Sequence, residues 1–457
     1  MRRVLTGLCV LVFSFASQCL AQEAGAPGDL ARQLEGARSR LETANRRISA
    51  LEGTVSALEA NLTSSSAASS DLRAEVTALE AKARASKPTG SAFRFSLYGQ
   101  IKVDMNYDDT RTNATDDAAY VQQEKPGFGS DKCFALTVRQ TALGVNILAP
   151  DVAGGKQRGR VEIDFYAPAS VENKPEPRMK YAYWELLFAD SSLLVGQAPD
   201  LVSPGAPNTL NRDHLDNSGN IGYRRPMIRY QRLFKLRGGS TCQNDLAIAR
   251  GTGGPVSSSS SLDDAASDAA WPLLEARSGI LIPTSLKRPV VVGISGHVGQ
   301  EEYDPTSGTP PVPTSGKGDM YMTYSAGIDW SVPLTASLDL AGEVFGGRNL
   351  DDFVGGVAQG VNTKLGKPID ASGGWMQVAY KPLKTWTFGL GAGIDDPDNS
   401  DLSAGDRTRN TTLFTHAIYA VTDKLSTGLE LSYMKTAYKA APDGDNFRVQ
   451  TSLIYKF

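Results

Sequence analysis

Long apolar runs are what this 457-residue chain most clearly lacks. The longest, Val4 to Ala16, is too short to cross a bilayer as a helix, which excludes a bundle of transmembrane helices. Cysteine is scarce: of four, only Cys133 and Cys242 lie beyond residue 21, too few for a disulfide scaffold. Histidine is scarcer. His214, His297 and His416 fall in different segments and suggest no metal site. There is no Gly-x-Ser-x-Gly elbow and no phosphate loop, and the glycines at 391 and 393 sit in an alternating segment where small inward residues suffice. No catalytic group, cofactor or metal is therefore expected. Excess charge of one sign is missing too. A formal net charge of −3 gives no basic footprint for nucleic acid.

What is present begins with an export pattern. Arg2 and Arg3 precede the apolar run, and Cys19-Leu20-Ala21 follows it. This reads as a signal peptide, residues 1–21, cut after Ala21. Gln18 stands where a lipid-anchored cysteine needs a small residue, so Cys19 is not read as an anchor.

Residues 22–88 form the second segment. One heptad position reads Leu34, Leu41, Ile48, Val55, Leu62, Ser69, Val76 and Ala83, and the other Leu30, Ala37, Ala44, Leu51, Leu58, Ser65, Leu72 and Leu79. Charges balance at nine of each sign, so repulsion does not forbid association. The register predicts an α-helical coiled coil, and hence an oligomer, with a trimer favoured. Ser65 and Ser69 mark its weakest stretch. Lys87-Pro88-Thr89-Gly90 ends the helix, because proline removes a donor and clashes with the preceding turn.

From residue 92 to 457 the period changes to two. Phe93, Phe95, Leu97, Gly99, Ile101, Val103, Met105 and Tyr107 alternate with Arg94, Ser96, Tyr98, Gln100, Lys102, Asp104 and Asn106. Met320 to Trp330, Ala336 to Val344, Trp386 to Ile394 and Leu425 to Tyr433 repeat the pattern, and the chain ends on such a strand with a terminal Phe457. Strand side chains change face at every residue, so each segment has one oily and one wet face. Short connections (189–191, 332–334, 382–384, 422–424) largely alternate with long polar ones (108–132, 199–221, 251–270, 301–319, 346–373, 395–408, 435–446). Counting segments gives sixteen; those around Leu246 and Ile280 are weakest, and Met179 to Phe188 is ambiguous in phase. The expectation is an all-β, 16-stranded antiparallel transmembrane β-barrel in a bacterial outer membrane, with both termini and the coiled coil in the periplasm. The competing fold is a secreted two-sheet protein, which would not explain the alternating loop lengths. Cys133 and Cys242 would lie at opposite faces of the membrane, which speaks against a disulfide.

The residues with chemistry to offer are basic. In Arg224-Arg225-Pro226-Met227-Ile228-Arg229-Tyr230 the apolar face should meet lipid, so Arg225 and Arg229 should project into the pore. Arg160, Arg139, Arg178, Lys180 and Lys102 are expected lumen neighbours. Cations lining a narrow channel focus a positive field that favours anions, unless carboxylates such as Glu162, Asp164 and Glu185 neutralise them. The long loop after the fifth strand should fold inward, which makes Arg212, Asp213 and His214 candidate constriction residues.

With these motifs in hand, the chain resembles DcaP-like outer-membrane porins. The likeness rests on the signal peptide, the heptad segment, the strand Leu97-Tyr98-Gly99-Gln100-Ile101-Lys102-Val103-Asp104, the Gly196-Gln197 entry to the third long loop and the strand Arg225-Pro226-Met227-Ile228-Arg229-Tyr230. It implies a homotrimer of sixteen-stranded barrels with a periplasmic N-terminal coiled coil. It also implies passage of small anions such as dicarboxylates or aromatic carboxylates. Ala198-Pro199 departs from the aromatic expected after Gly-Gln. A second functional reading is a structural tether, in which the coiled coil reaches from the outer-membrane lipid toward peptidoglycan.

Overall fold

A strand with one apolar and one polar face has to bury one and wet the other, and the arrangement here inverts that of a soluble protein. On the first strand, Arg94–Asp108, Leu97 is 77% exposed on the outer face while Asp104 is 2% exposed on the inner one. The computed structural model describes residues 93–124, 131–167, 173–251, 269, 271–303, 306–307, 312–313, 319–362 and 364–457, and Glu42 besides. The chain divides into Met1–Thr89 and Gly90–Phe457. The expected signal peptide and coiled coil lie outside the described residues.

One antiparallel sheet of seventeen segments makes up the second unit. Two of them, Cys133–Thr137 and Ala142–Val152, pair end to end with the same neighbour: the first with Asp104–Asp108, the second with Arg94–Gln100. They are halves of one broken second strand, so the barrel has sixteen. The next six are Gly155–Asp164, Arg178–Leu187, Ser191–Pro199, Arg224–Lys235, Thr241–Ala249 and Leu273–Ile282. The ninth to twelfth are Val290–Tyr303, Asp319–Pro333, Leu338–Arg348 and Asp370–Leu383, and the last four Trp386–Pro397, Arg407–Ala420, Leu425–Tyr438 and Gly444–Lys456. The last pairs with the first, from Gln100↔Lys456 to Asp108↔Arg448, and the sheet closes on itself. Closure leaves no edge and gives every strand a partner on both sides.

The two weakest expected segments are the seventh and eighth strands. The ambiguous phase of the fourth has a local cause. Glu162 pairs with Tyr181 but Ile163 with Met179, so Lys180 is an extra residue in a bulge. Lys180 and Tyr181 then both turn to the lumen: the ammonium lies 3.0 Å from Glu162, and the Tyr181 ring lies under Arg160 at 4.5 Å. The last long loop is shorter than expected. Only 439–443 separate the fifteenth and sixteenth strands, because Lys435 and Asp445 keep the alternation and stay on the ladder.

Phe457 completes the closure. Its N–H donates to the Gly99 carbonyl at 3.1 Å, and Gly99 N–H returns the bond at 3.2 Å. The phenyl ring lies over Gly99, where a Cβ would stand 2.8 Å from the ring and 2.4 Å from the Ala142 carbonyl oxygen. Rings cluster at the short-turn end of the barrel: Trp386 and Phe388 stack at 5.5 Å, and Tyr419 meets Trp386 at 4.9 Å. Gly99→Val should destabilise the closed barrel by about 1–3 kcal/mol, as overpacking does. The measurement is the temperature at which the folded band disappears on an SDS gel. An unchanged temperature would show that closure tolerates a side chain at this position.

Candidate functional site

The inward loop is built by its own apolar residues. Leu201, Val202, Leu210, Leu215 and Ile221, each at most 4% exposed, belong to the segment 200–223 between the fifth and sixth strands. The barrel's inner wall is mostly polar but carries apolar patches that receive them. Leu201, Val202 and Ile221 pack with Leu194, Met227, Leu273 and Phe345 of the wall and with Leu350 and Phe353 of a second inward segment, 349–369, while Leu215 packs on Trp375 and Phe414; the connection expected as a long polar loop therefore turns inward. The two segments are also joined by backbone: Gly222 N–H donates to the Phe353 carbonyl at 2.8 Å and Asn217 N–H to that of Val354 at 2.6 Å. The first segment reaches the far wall. A Cβ on Gly393 would stand 2.0 Å from the Ser218 carbonyl oxygen, so only glycine lets the loop approach so closely.

Peptide groups buried this way need partners, and strand carboxylates supply them. Glu275 accepts from Leu201 N–H at 2.7 Å, and Glu430 from Leu210 and Asn211 N–H at 2.5 and 3.2 Å. Glu343 accepts from Ile221 N–H at 3.0 Å, and Asp395 from Val357 N–H at 3.1 Å.

The cations expected in the pore divide into two sets. Arg225 is not free in the lumen. Its guanidinium forks onto Asp200 with both bonds at 2.9 Å, donates to the Asp352 carbonyl at 3.1 Å and covers the Phe353 ring at 4.1 Å. It staples the two inward segments together, and 7% of its side chain is exposed. Arg139 is likewise held, its Nη1 donating to both oxygens of Asp116 of the first long loop at 2.8 Å. Lys102 is spent on Asp104 at 3.3 Å and the Leu210 carbonyl at 2.7 Å, with 3% exposed. These three sit in the right phase for the lumen, but loops cover them.

The second set faces water. Arg160 and Lys180, 35% and 31% exposed, share Glu162 at 2.5 and 3.0 Å, and the Tyr98 hydroxyl also donates to that carboxylate. Arg178 forks onto Asp164 at 2.9 and 2.7 Å; beside it Arg224 forms no ion pair among the described residues. Both guanidiniums donate to the Tyr223 hydroxyl, at 3.2 and 3.4 Å. Arg158, 48% exposed, binds Glu185 at 2.5 Å, and Arg229 approaches the same carboxylate at 4.0 Å. Two cations meet one carboxylate at Glu162 and at Glu185, and at Asp164 the paired Arg178 has Arg224 beside it as a second cation. The third strand sets the spacing: Asp164, Glu162, Arg160 and Arg158 are alternate inward residues, about 6–7 Å apart. Sequence reasoning missed Arg158 and Arg224. Arg158 shares the phase of Arg160 and was legible; Arg224 has the wrong phase for the lumen. Pairing between the fourth and fifth strands stops at Ala182↔Gln197, and Arg224 lies beyond it, stacked on Tyr223 at 4.5 Å.

Among the expected constriction residues, Arg212 pairs with Asp117 at 2.5 Å and covers the Tyr166 ring at 4.8 Å. Asp213 is buried, and His214 Nδ1 lies 2.9 Å from the Thr209 hydroxyl. His214, Leu215 and Asn217 all have φ between 52° and 64°, a left-handed turn that the surrounding contacts hold in place. Burial pushes the carboxyls of Asp213 and Asp216 upward, Asp216 to about 7, with Asp117 adding to the rise and Arg212 opposing it. Burial together with Lys102, Arg212 and Lys180 pushes His214 down to about 3. Cys133 and Cys242 are both free thiols, at opposite ends of the barrel.

No family model matches the chain, and no curated protein matches it. Solved structures do. The outer membrane channel DcaP of Acinetobacter baumannii superposes with a TM-score of 0.63 at 17% identity, over 81% of this chain and 99% of that one. An anion-selective porin from Comamonas acidovorans gives 0.50 at 10% identity, over 80% and 100%. The trimer form of OmpT, an outer membrane protein of Vibrio cholerae, gives 0.50 at 10% identity over the same shares. These likenesses establish the porin fold, in agreement with the resemblance carried by the sequence motifs.

Two outcomes test this geometry. Arg225→Ala leaves Asp200 buried without its partner, a loss of about 3–5 kcal/mol for a buried pair. The inward segments should loosen, so single-channel conductance should rise; unchanged conductance would show that Arg225 does not hold them. The second concerns pH. A raised carboxyl contributes fully below the ordinary carboxylate range and loses its contribution as pH climbs through about 7, whereas His214 loses its own only as pH falls from about 6.5 toward 3. Between pH 6 and 8 the change therefore comes from the raised acid pair Asp213 and Asp216 and not from His214. The surroundings of Asp216 are Arg212, Asp117, Asp213, Arg224 and Asn220. Hydrogen exchange of 213–218, corrected for intrinsic rate, should speed up from pH 6 to 8 in the wild type and much less in the double variant Asp213→Asn, Asp216→Asn; an equal response in both would reject the acid pair as the cause.

Proposed function

We propose that the protein is an outer-membrane porin for passive diffusion of small anionic solutes, with dicarboxylates and aromatic carboxylates as its cargo. The observation that carries this reading is the ratio of two cations to one carboxylate at three successive levels of the same wall. Each level keeps about one unbalanced positive charge beside water, in a lumen whose protein walls focus the field. Half-exposed guanidiniums can fork onto a carboxylate and release it to the next level, as passage requires. The tyrosines among them suit an aromatic cargo: Arg160 covers Tyr98 and Tyr181 at 5.2 and 4.5 Å, and Arg224 covers Tyr223. Nothing in the reading calls for catalysis.

The short turns then face the periplasm and the long loops the exterior, the usual orientation of such barrels. We place the protein in the outer membrane as a homotrimer, with residues 22–88 as a periplasmic trimerisation coiled coil. The trimer form of an outer membrane protein of the same fold supports the barrel part, and the heptads support the rest. The tether reading concerns residues 22–88 alone, and no contact among the described residues favours it.

In planar bilayers under a potassium chloride gradient, the reversal potential should show anion preference. Arg160→Glu combined with Lys180→Glu should cut the anion-to-cation permeability ratio by at least about tenfold, equivalent to ~1.4 kcal/mol, while the folded band stays heat-resistant. A wild-type channel that prefers cations would end the proposal, as would a double variant with unchanged selectivity.

A further inference from the structure

The short-turn end of the barrel carries charge that the pore does not use. Lys235 and Arg237 flank the turn after the sixth strand, Lys287 lies in the turn after the eighth, and Lys381 and Lys384 flank the turn after the twelfth. Lys424 follows the fourteenth strand, and Lys456 ends the sixteenth. All seven are exposed, and none forms an ion pair among the described residues. Acids on the same arc are few. Asp339 is engaged by Arg288 and Asp190 by Arg232, which leaves Asp151 and Asp423. The excess is positive and covers most of the rim.

Aromatic rings adjoin these cations along the chain and face outward. Tyr380 precedes Lys381 and packs on Phe388 at 6.5 Å, and Tyr455 precedes Lys456 and lies 6.5 Å from Phe457. Phe234 precedes Lys235, and Trp386 follows Lys384 by two residues. Rings of this kind settle at the headgroup level of a bilayer, and a lysine beside them extends its ammonium to the phosphates. Cations at that depth are attracted to anionic lipid.

We propose that this arc binds the phosphodiester headgroups of anionic phospholipid in the leaflet facing the short turns. The ring-and-cation pairing decides for lipid over a wall polymer, because it holds the ammonium groups at membrane depth. The proposal rests on the barrel lying in a membrane and is independent of the ion preference of the pore.

The test uses the full-length protein in neutral detergent with added dioleoyl phosphatidylglycerol or dioleoyl phosphatidylcholine. Phosphatidylglycerol should raise the unfolding midpoint by about 3–6 °C, as a ligand of the folded state does, and phosphatidylcholine should not. The variant Lys381→Gln, Lys384→Gln, Lys424→Gln, Lys456→Gln should lose the rise while its folded band still runs as a closed barrel. A second measurement needs no variant: wild-type protein extracted from mixed vesicles and washed with detergent should retain phosphatidylglycerol in preference to phosphatidylcholine. Equal responses to the two lipids would overturn the proposal, and so would a full response in the variant. Binding to purified cell-wall sacculi that the four substitutions abolish, with the lipid response intact, would overturn it in favour of the wall.

Discussion

Buried peptide N–H groups cannot be left without an acceptor, and in this lumen that requirement organises everything else. Two chain segments leave the wall and cross water to pack on each other. They carry backbone donors into a space with no ladder to receive them. Glu275, Glu343, Asp395 and Glu430 stand on the eighth, eleventh, thirteenth and fifteenth strands and accept from Leu201, Ile221, Val357 and Leu210. An unmade hydrogen bond of this kind costs about 1–3 kcal/mol. Four carboxylates placed opposite four stretches of loop therefore fix where the loops lie, and with them the shape of the passage.

The same contacts divide the lumen electrostatically. Carboxylates that receive loop amides stand on the eighth to fifteenth strands, and loop backbone donates to each of them; Glu275 also lies 3.9 Å from Arg225. The third, fourth and sixth strands hold Arg158, Arg160, Arg178, Lys180, Arg224 and Arg229 against only Glu162, Asp164 and Glu185. A barrel that paired every cation with its own carboxylate would have a neutral wall. Here cations outnumber carboxylates on these strands, so this wall stays positive without any large net charge in the chain.

The alternation, together with the rhythm of short and long connections, made the barrel legible: sixteen segments, the closing strand and the wet face of most strands could be read from it, but not the phase of the fourth. Burial within the wet face could not. Arg225 and Arg160 have the same sequence signature, a cation in lumen phase, and differ because Asp200, Asp352 and Phe353 arrive over Arg225 from segments up to 128 residues away. The bulge at Lys180 was invisible for a related reason, since it depends on how the third strand pairs. A clue to the second inward segment was present and unused: Leu350, Phe353, Val354 and Val357 are too apolar for an exposed loop, and each is at most 5% exposed.

Pore size and pore charge are thereby assigned to different residues. Arg225 with Asp200, Arg139 with Asp116 and the four amide-binding carboxylates hold the inward segments and set the width. Arg160, Lys180, Arg178, Arg224, Arg158 and Arg229 are left partly exposed and set the sign. A buried bidentate pair is worth most when fully enclosed, whereas a cation that must take up and release a solute works only if water reaches it. One side chain cannot meet both demands. For the proposed passage of anions, an arginine-rich lumen would need to separate a fixed constriction from weak, reversible contacts, and the sixth strand does separate the buried Arg225 from the more exposed Arg229 four residues on.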